Sequence, residues 1–224
     1  MAAACDVRHV REGVELLRLV IELAEVDVEK WRDDLLYNPR NIRNAVRNVA
    51  DALALLEERG WMTLSQLVTA VVGGPVKGSW WSHPKGKLIF HIANEVERTG
   101  DVLVAKLGKV VFMHRTLWPA FLRLVTDPAW RRDAARKLSP AARRLLADVD
   151  KAGTLRLDGD KDARAELERS GLVLSTSEHT DKGHHAAVLA TWGSWAKADV
   201  AAAAGALDRP AAETRLRAAG LAWE

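Results

Sequence analysis

The sequence predicts a mainly α-helical protein with small β-hairpins, an α+β chain built as tandem winged-helix units of which the second is degenerate. Three observations predict it. Residues 38–126 run helix, short strand, helix, helix, hairpin, which is the order of a helix-turn-helix extended by a β-ribbon. Residues 127–197 repeat that plan, with room for one helix only between strand and hairpin. Stop and start signals separate the periodic runs. A helical N-terminal region, 1–37, precedes the two units, and an alanine-rich helical tail, 198–224, follows them.

In the N-terminal region, Val10, Val14, Leu17 and Ile21 recur at steps of three and four, which predicts helices over 8–25 and 28–36. Asn38-Pro39 opens the next helix, because asparagine caps and proline suits a first turn. Its stripe is Ile42, Val46, Val49, Leu53 and Leu56, and Gly60 stops it. Trp61-Met62 is short and extended. Thr63-Leu64-Ser65-Gln66 has the form of a capping box, a hydroxyl at the cap and an amide three residues on. It opens a helix over 64–72 that Gly73-Gly74-Pro75 ends. A third helix starts from Ser82 or His83 with Pro84 in its first turn, turns Leu88, Ile89, Ile92 and Val96 inward, and ends at Gly100. Two strand-like runs, 102–106 and 110–115, join through Leu107-Gly108-Lys109, where glycine supplies the backbone freedom of a tight connection.

A linking helix around 118–125 leads to the second unit. Ser139-Pro140 caps a helix to about Lys151, 154–158 reads as a strand, and 160–169 as a helix that Gly171 stops. Residues 172–177 and 186–191 are the arms of another hairpin, closed by 178–185. The tail is helical, broken at Gly205 and Pro210. No low-complexity linker separates the units, so they are expected to pack together.

Hydrophobic residues make up 48% of the 224 and charged residues 28%, enough to bury a core. No apolar run reaches the roughly 18 residues that span a bilayer, and residues 1–6 do not read as a secretory signal. The lone Cys5 can form no internal disulfide, which fits a reducing compartment. A cytoplasmic protein without a membrane partner is expected. The net charge of +3 is unevenly spread. Residues 75–145 carry 14 Lys/Arg against 5 Asp/Glu, while 1–37 carry 5 against 9 and 146–224 carry 10 against 13. A concentrated basic segment attracts polyanions, because each neutralised phosphate releases condensed counterions. A basic surface that is only solvated has the same composition.

The third helix carries the candidate reading face. Lys87, His91, Asn94 and Arg98 lie at i, i+4, i+7 and i+11, within an arc of roughly 60° opposite the apolar stripe. Lysine and arginine suit phosphate or the acceptor edge of guanine, asparagine pairs with adenine, and histidine donates to base or phosphate. In a helix-turn-helix the second of the paired helices enters the major groove. Lys85 and the backbone amides near His83 sit at the positive end of this helix, where a phosphate is favoured. Glu95 and Glu97 fall off the arc. Lys106 and Lys109 flank the hairpin tip and Arg115 ends its second arm, so the ribbon can clamp the neighbouring backbone or minor groove. Lysine on an edge strand also serves simply against aggregation. Trp80 and Trp81 can stack on a base or anchor their loop by packing. Arg131, Arg132, Arg136, Lys137, Arg143 and Arg144 extend a phosphate track or are ordinary helix surface.

Catalytic chemistry is not signalled. The run Glu178-His179-Thr180-Asp181-Lys182-Gly183-His184-His185 is the one segment resembling a metal site. Its spacing is not diagnostic, no cysteine pair accompanies it, and it reads rather as a polar hairpin turn. Gly73-Gly74 lacks the lysine and hydroxyl of a phosphate loop, no nucleophile elbow surrounds a serine, and the carboxylates lie mostly on helix exteriors. No catalytic residue, metal ligand or cofactor is expected.

The stretch from Val72-Gly73-Gly74-Pro75 to Trp118-Pro119, followed by Leu138-Ser139-Pro140-Ala141 and Ser177-Glu178-His179-Thr180, resembles bacterial winged-helix proteins related to the AlkZ/YcaQ DNA glycosylases. The resemblance covers roughly 40–197 and implies winged helices that bind DNA. Those glycosylases are longer and carry a catalytic Gln-x-Gln motif, whereas Gln66 is the single glutamine of this chain, so base excision is not implied. The expected function is a regulator or DNA-structure binder acting on double-stranded DNA without catalysis, with homodimerisation open. A winged-helix protein-interaction or dimerisation module is the alternative, and a glycosylase-like repair enzyme a third.

Overall fold

The computed structural model describes residues 46–157, 159–179 and 185–221, so the helices expected over 8–36, the Asn38-Pro39 cap and residues 180–184 of the hairpin loop lie outside the described residues. The chain divides into two compact units, 1–43 and 44–224, and every described residue belongs to the second. That unit is mainly helical with two three-stranded antiparallel sheets, an α+β architecture.

Helix α1 spans Val49–Arg59, and residues 46–48, which the sequence places inside that helix, are not helical. Asn48 is extended and its Oδ1 accepts the Asp51 N–H at 2.9 Å, while the Asp51 carboxylate accepts the Arg47 backbone N–H and Nε at 3.0 and 3.1 Å. This local cap halts the helix at Val49. The Val46 N–H instead donates to the Ala70 carbonyl at 3.0 Å, so Val46 is a core residue but not a helical one. The buried face of α1 is Ala52, Leu55 and Leu56. Strand β1 (Trp61–Thr63) passes directly into α2 (Leu64–Val72) through the expected capping box. The Thr63 N–H donates to Gln66 Oε1 at 2.7 Å and the Gln66 N–H to Thr63 Oγ1 at 3.2 Å.

A 3-10 turn (Trp80–Ser82) precedes α3 (Gly86–Arg98). Strands β2 (Val102–Leu107) and β3 (Lys109–His114) then form a hairpin in which Leu107 lies opposite Lys109. Gly108 makes that turn with φ at +73°, a conformation that side chains with a Cβ rarely adopt. Strand β3 is central, in the order β1-β3-β2. Leu56, Met62, Leu67, Ile89, Ile92 and Phe112 form the core of this half.

Helix α4 (Trp118–Val125) falls where expected. Helix α5 (Pro128–Arg136), which is not among the expected elements, starts from Asp127-Pro128, with Asp127 as its cap. Then come α6 (Pro140–Ala152) under the expected Ser139 cap, β4 (Thr154–Leu157), α7 (Lys161–Ser170), β5 (Leu174–His179) and β6 (His185–Ala190). The sheet order is β4-β6-β5, so in both sheets the last strand in sequence is the central one. A single-turn α8 (Trp192–Trp195), α9 (Ala198–Gly205) and α10 (Arg209–Ala218) close the chain. The tail is interrupted between Gly205 and Arg209, as expected, and Pro210 lies on the far side of that break. The proline occupies the first turn of α10, and Asp208 caps that helix by accepting the Ala211 N–H at 2.7 Å.

A central core joins the two halves. Its middle is α4, whose Ala120, Phe121 and Val125 are fully buried against Met113, Leu174 and Trp192. Helices α9 and α10 pack on α4, so the alanine-rich tail completes this core. Strand β5 lies against β2, and α7 against the same strand. No described helix is long and apolar enough to cross a membrane.

One carboxylate ties three of these helices together. Asp127 Oδ1 accepts the Ala129 and Trp130 N–H groups at 3.1 and 3.0 Å, and its oxygens meet Arg123 of α4 at 3.2 Å and Arg209 of α10 at 3.4 Å. The Trp130 N–H foremost, then the Ala129 N–H and the Arg123 and Arg209 guanidiniums, hold its carboxyl below the usual range against the opposing effect of burial. A native pKa below the unfolded value of about 3.9 contributes stability that is present above that value and is lost as pH falls through the native one. Urea unfolding between about pH 5 and about pH 2 is therefore expected to show a steeper acid loss in the wild type than in Asp127→Asn, which keeps the cap and drops the charge. Equal slopes would refute this linkage.

Candidate nucleic-acid interface

The geometry of the candidate face starts at Gly86. A Cβ there would lie 2.8 Å from the Trp81 carbonyl oxygen and 3.0 Å from that of Trp80, so only glycine lets α3 begin this close under the 3-10 turn. Helix α3 then buries Ile89, Ile92 and Val96 against α1 and α2, with Leu88 half-buried beside them. This fixes which side faces outward. Lys87, His91 and Arg98 are exposed and Asn94 is half-buried, all on the outward side.

Their availability differs. Lys87 and His91 have no hydrogen-bond or ion-pair partner among the described residues. Asn94 donates through Nδ2 to the Phe90 carbonyl at 3.0 Å, which leaves Oδ1 and one N–H for a ligand. Arg98 is paired with Glu95 at 2.6 Å. Glu95 does lie off the arc, yet a three-residue spacing on a helix still brings the two side chains together.

Lys85 does not sit at a phosphate site. Its Nζ donates to the Val71 and Val72 carbonyls at 2.6 and 3.4 Å, which caps the negative end of α2. The helix also starts at Gly86 rather than after Ser82 or His83. The Lys85 N–H donates to His83 Nδ1 at 3.1 Å and the Gly86 N–H to the His83 carbonyl at 2.7 Å, so the amides next to His83 are already used.

Two of the three hairpin cations are held by carboxylates. Lys106 is half-buried, 4.0 Å from Glu168 of α7, and Glu168 also accepts the Ser175 hydroxyl at 2.6 Å and lies 3.4 Å from Arg164 Nε. At the tip, a Cβ on Gly108 would meet Arg169 Cγ of α7 at 3.0 Å. The ribbon is thus seated on the second half of the unit. Lys109 is exposed beside that tip. Arg115 lies at the hairpin base, paired with Asp101 at 2.9 Å, a contact that raises its pKa further.

In the basic stretch, Arg131 has a structural task. Its Nη2 binds both oxygens of Asp150 at 2.7 and 3.0 Å and its Nη1 donates to the Leu172 carbonyl at 3.2 Å. Arg136 pairs with Asp133 at 3.0 Å. Arg132, Lys137, Arg143 and Arg144 are exposed on α5, α6 and the link between them. Among the described residues no group of histidine, cysteine and carboxylate side chains could hold a metal ion, and the 178–185 run lies largely outside them.

Phe90, which no sequence motif singles out, joins Trp81 on this face. Phe90 is 48% exposed and Trp81 60% exposed, and their rings lie 5.2 Å apart. Trp80 packs on the core and stacks on Trp81 at 4.2 Å with 22° between planes. Trp80 is therefore the packing anchor and Trp81 is not. The signal existed in the helix period, because Phe90 falls about 60° from Lys87 and far from the apolar stripe.

No protein-family model matches the chain, and neither a curated protein nor a solved structure matches it.

Proposed function

We propose that this chain is a DNA-binding protein of the winged-helix type that acts without catalysis, with α3 lying in the major groove of double-stranded DNA. The order α1-β1-α2-α3-β2-β3 with sheet order β1-β3-β2 supports the first winged-helix unit. The same strand order in the second sheet, with α7 alone between β4 and its hairpin, supports a degenerate second one. The observation that carries the reading is the outward face of α3, where Lys87 and His91 are unpartnered and Asn94 and Arg98 continue the row. Arg98 is held by a surface carboxylate, and such pairs are weak enough for phosphate to replace one partner. The resemblance to AlkZ/YcaQ-related proteins accords with this role, that of a cytoplasmic regulator or DNA-structure binder.

Titration of random-sequence duplex DNA across a salt series tests it. Two to four phosphate contacts predict that log K falls linearly with log salt at a slope of about −2 to −4. Absence of duplex binding at low salt would remove the proposal. A second reading, a homodimer or protein-interaction module, is favoured by the exposed Trp81 and Phe90, and sedimentation of the free protein tests that reading.

A further inference from the structure

We propose that Trp81 and Phe90 form a stacking site for an unpaired nucleobase, so that the preferred ligand is a DNA duplex interrupted by a bulge or gap. This rests on the DNA-binding reading and specifies its substrate class. Trp81 and Phe90 are the large hydrophobic side chains left exposed among the described residues, and they touch each other. Scattered apolar residues on a surface need no explanation, but a tryptophan and a phenylalanine in contact form a patch.

The patch is held in place. Trp80 backs the Trp81 ring by stacking, and the close approach of Gly86 to the carbonyls of both tryptophans fixes the turn that presents them. A ring already held loses little freedom when a ligand stacks on it.

Its surroundings select the ligand. From Arg59 to Asn94 the chain contains no aspartate or glutamate, while that stretch carries Lys77, Lys85, Lys87, His83 and His91. The next residue, Glu95, is neutralised by Arg98. Lys87 stands three residues before Phe90 on the same helix, without a partner among the described residues. Lys85 is engaged at the end of α2 and Glu97 is an exposed acid two turns beyond Phe90, but the charged side chains nearest the two rings in sequence are basic, which favours a ligand that is planar and anionic together. A base on a phosphodiester strand is both, and aromatic side chains stack on every base alike. In an intact duplex the base faces are covered by their neighbours. An unpaired base offers its face at small unstacking cost.

The test uses the full chain and three labelled DNAs of one sequence: an intact duplex, the same duplex with a three-nucleotide bulge, and the single strand. Wild type is expected to bind the bulged duplex about tenfold more tightly than the intact one. Trp81→Ala is expected to abolish that preference and to leave affinity for the intact duplex within about twofold, while Trp81→Phe keeps most of it. Trp81 is exposed, so an unchanged thermal midpoint serves as the folding control. Equal wild-type affinity for bulged and intact duplex overturns this inference and leaves the DNA-binding reading standing. Failure to bind any of the three overturns both. A wild-type dimer that Trp81→Ala turns into a monomer, with DNA selectivity unchanged, overturns it in favour of a protein interface.

Discussion

Replacing Trp192 by alanine is expected to cost about 3–5 kcal/mol of stability. Trp192 is 1% exposed and lies where the two halves of the unit meet. Its ring makes edge contacts with Phe121 of α4 at 4.7 Å and with Trp195 at 5.9 Å, and its Nε1 donates to the Gly171 carbonyl at 2.7 Å. Alanine leaves a cavity beside these rings, and it leaves that carbonyl without its donor. The loss is a large part of the 5–15 kcal/mol typical of a domain. Urea unfolding should show a lower midpoint with the slope unchanged if the two halves unfold together. A loss below about 1 kcal/mol would show that the central core contributes little. Two separate transitions in the variant would mean that Trp192 couples two halves able to fold apart.

The parts of this fold that were legible in the sequence are those specified within a few residues. The Thr63–Gln66 box, the Ser139-Pro140 start and the stops at Gly60 and Gly171 each carry their partners inside one turn. Errors arose where a distant contact decided. The apolar spacing runs on through Val46 and Val49, but Asn48 is itself a valid cap and the described residues before it are not helical. The choice at Asn48 is reinforced by the Val46–Ala70 backbone bond, which has no sequence signature. Serine before a proline predicts a start of α3 near Ser82 or His83. The helix waits for Gly86 because only there does the backbone fit beneath the carbonyls of residues 80 and 81. The break expected at Gly205 and Pro210 is present, and Asp208, two residues before the proline, marks where the next helix begins.

The candidate face divides in the same way. The row Lys87, His91, Asn94 and Arg98 follows from helical period alone, and the buried stripe of α3 turns that row outward. What happens to the remaining cations depends on residues far away in sequence. Lys85 reaches a helix end fourteen residues back, Lys106 reaches Glu168 on another helix, and Arg115 reaches across the hairpin base to Asp101. Charge counting treats these three like Lys87, but their partners offset part of their pull on a phosphate.

The contrast between partnered and unpartnered cations sets the last expectation. Lys87→Glu combined with Arg98→Glu is expected to weaken duplex binding about a hundredfold at low salt, since each reversal removes a counterion-releasing contact and adds a repulsive one. Arg98→Glu also places an acid beside Glu95 in the last turn of α3, where negative charge is disfavoured, so a stability loss of a few tenths of a kcal/mol accompanies it. The control is Lys137→Glu with Arg144→Glu, which changes net charge equally on exposed residues away from α3. If binding depends on a defined face, the control should lose only about threefold through the long-range field, and less as salt screens it. Equal losses in the two variants would instead mean that DNA is held by overall charge, and α3 would then have no claim to the groove.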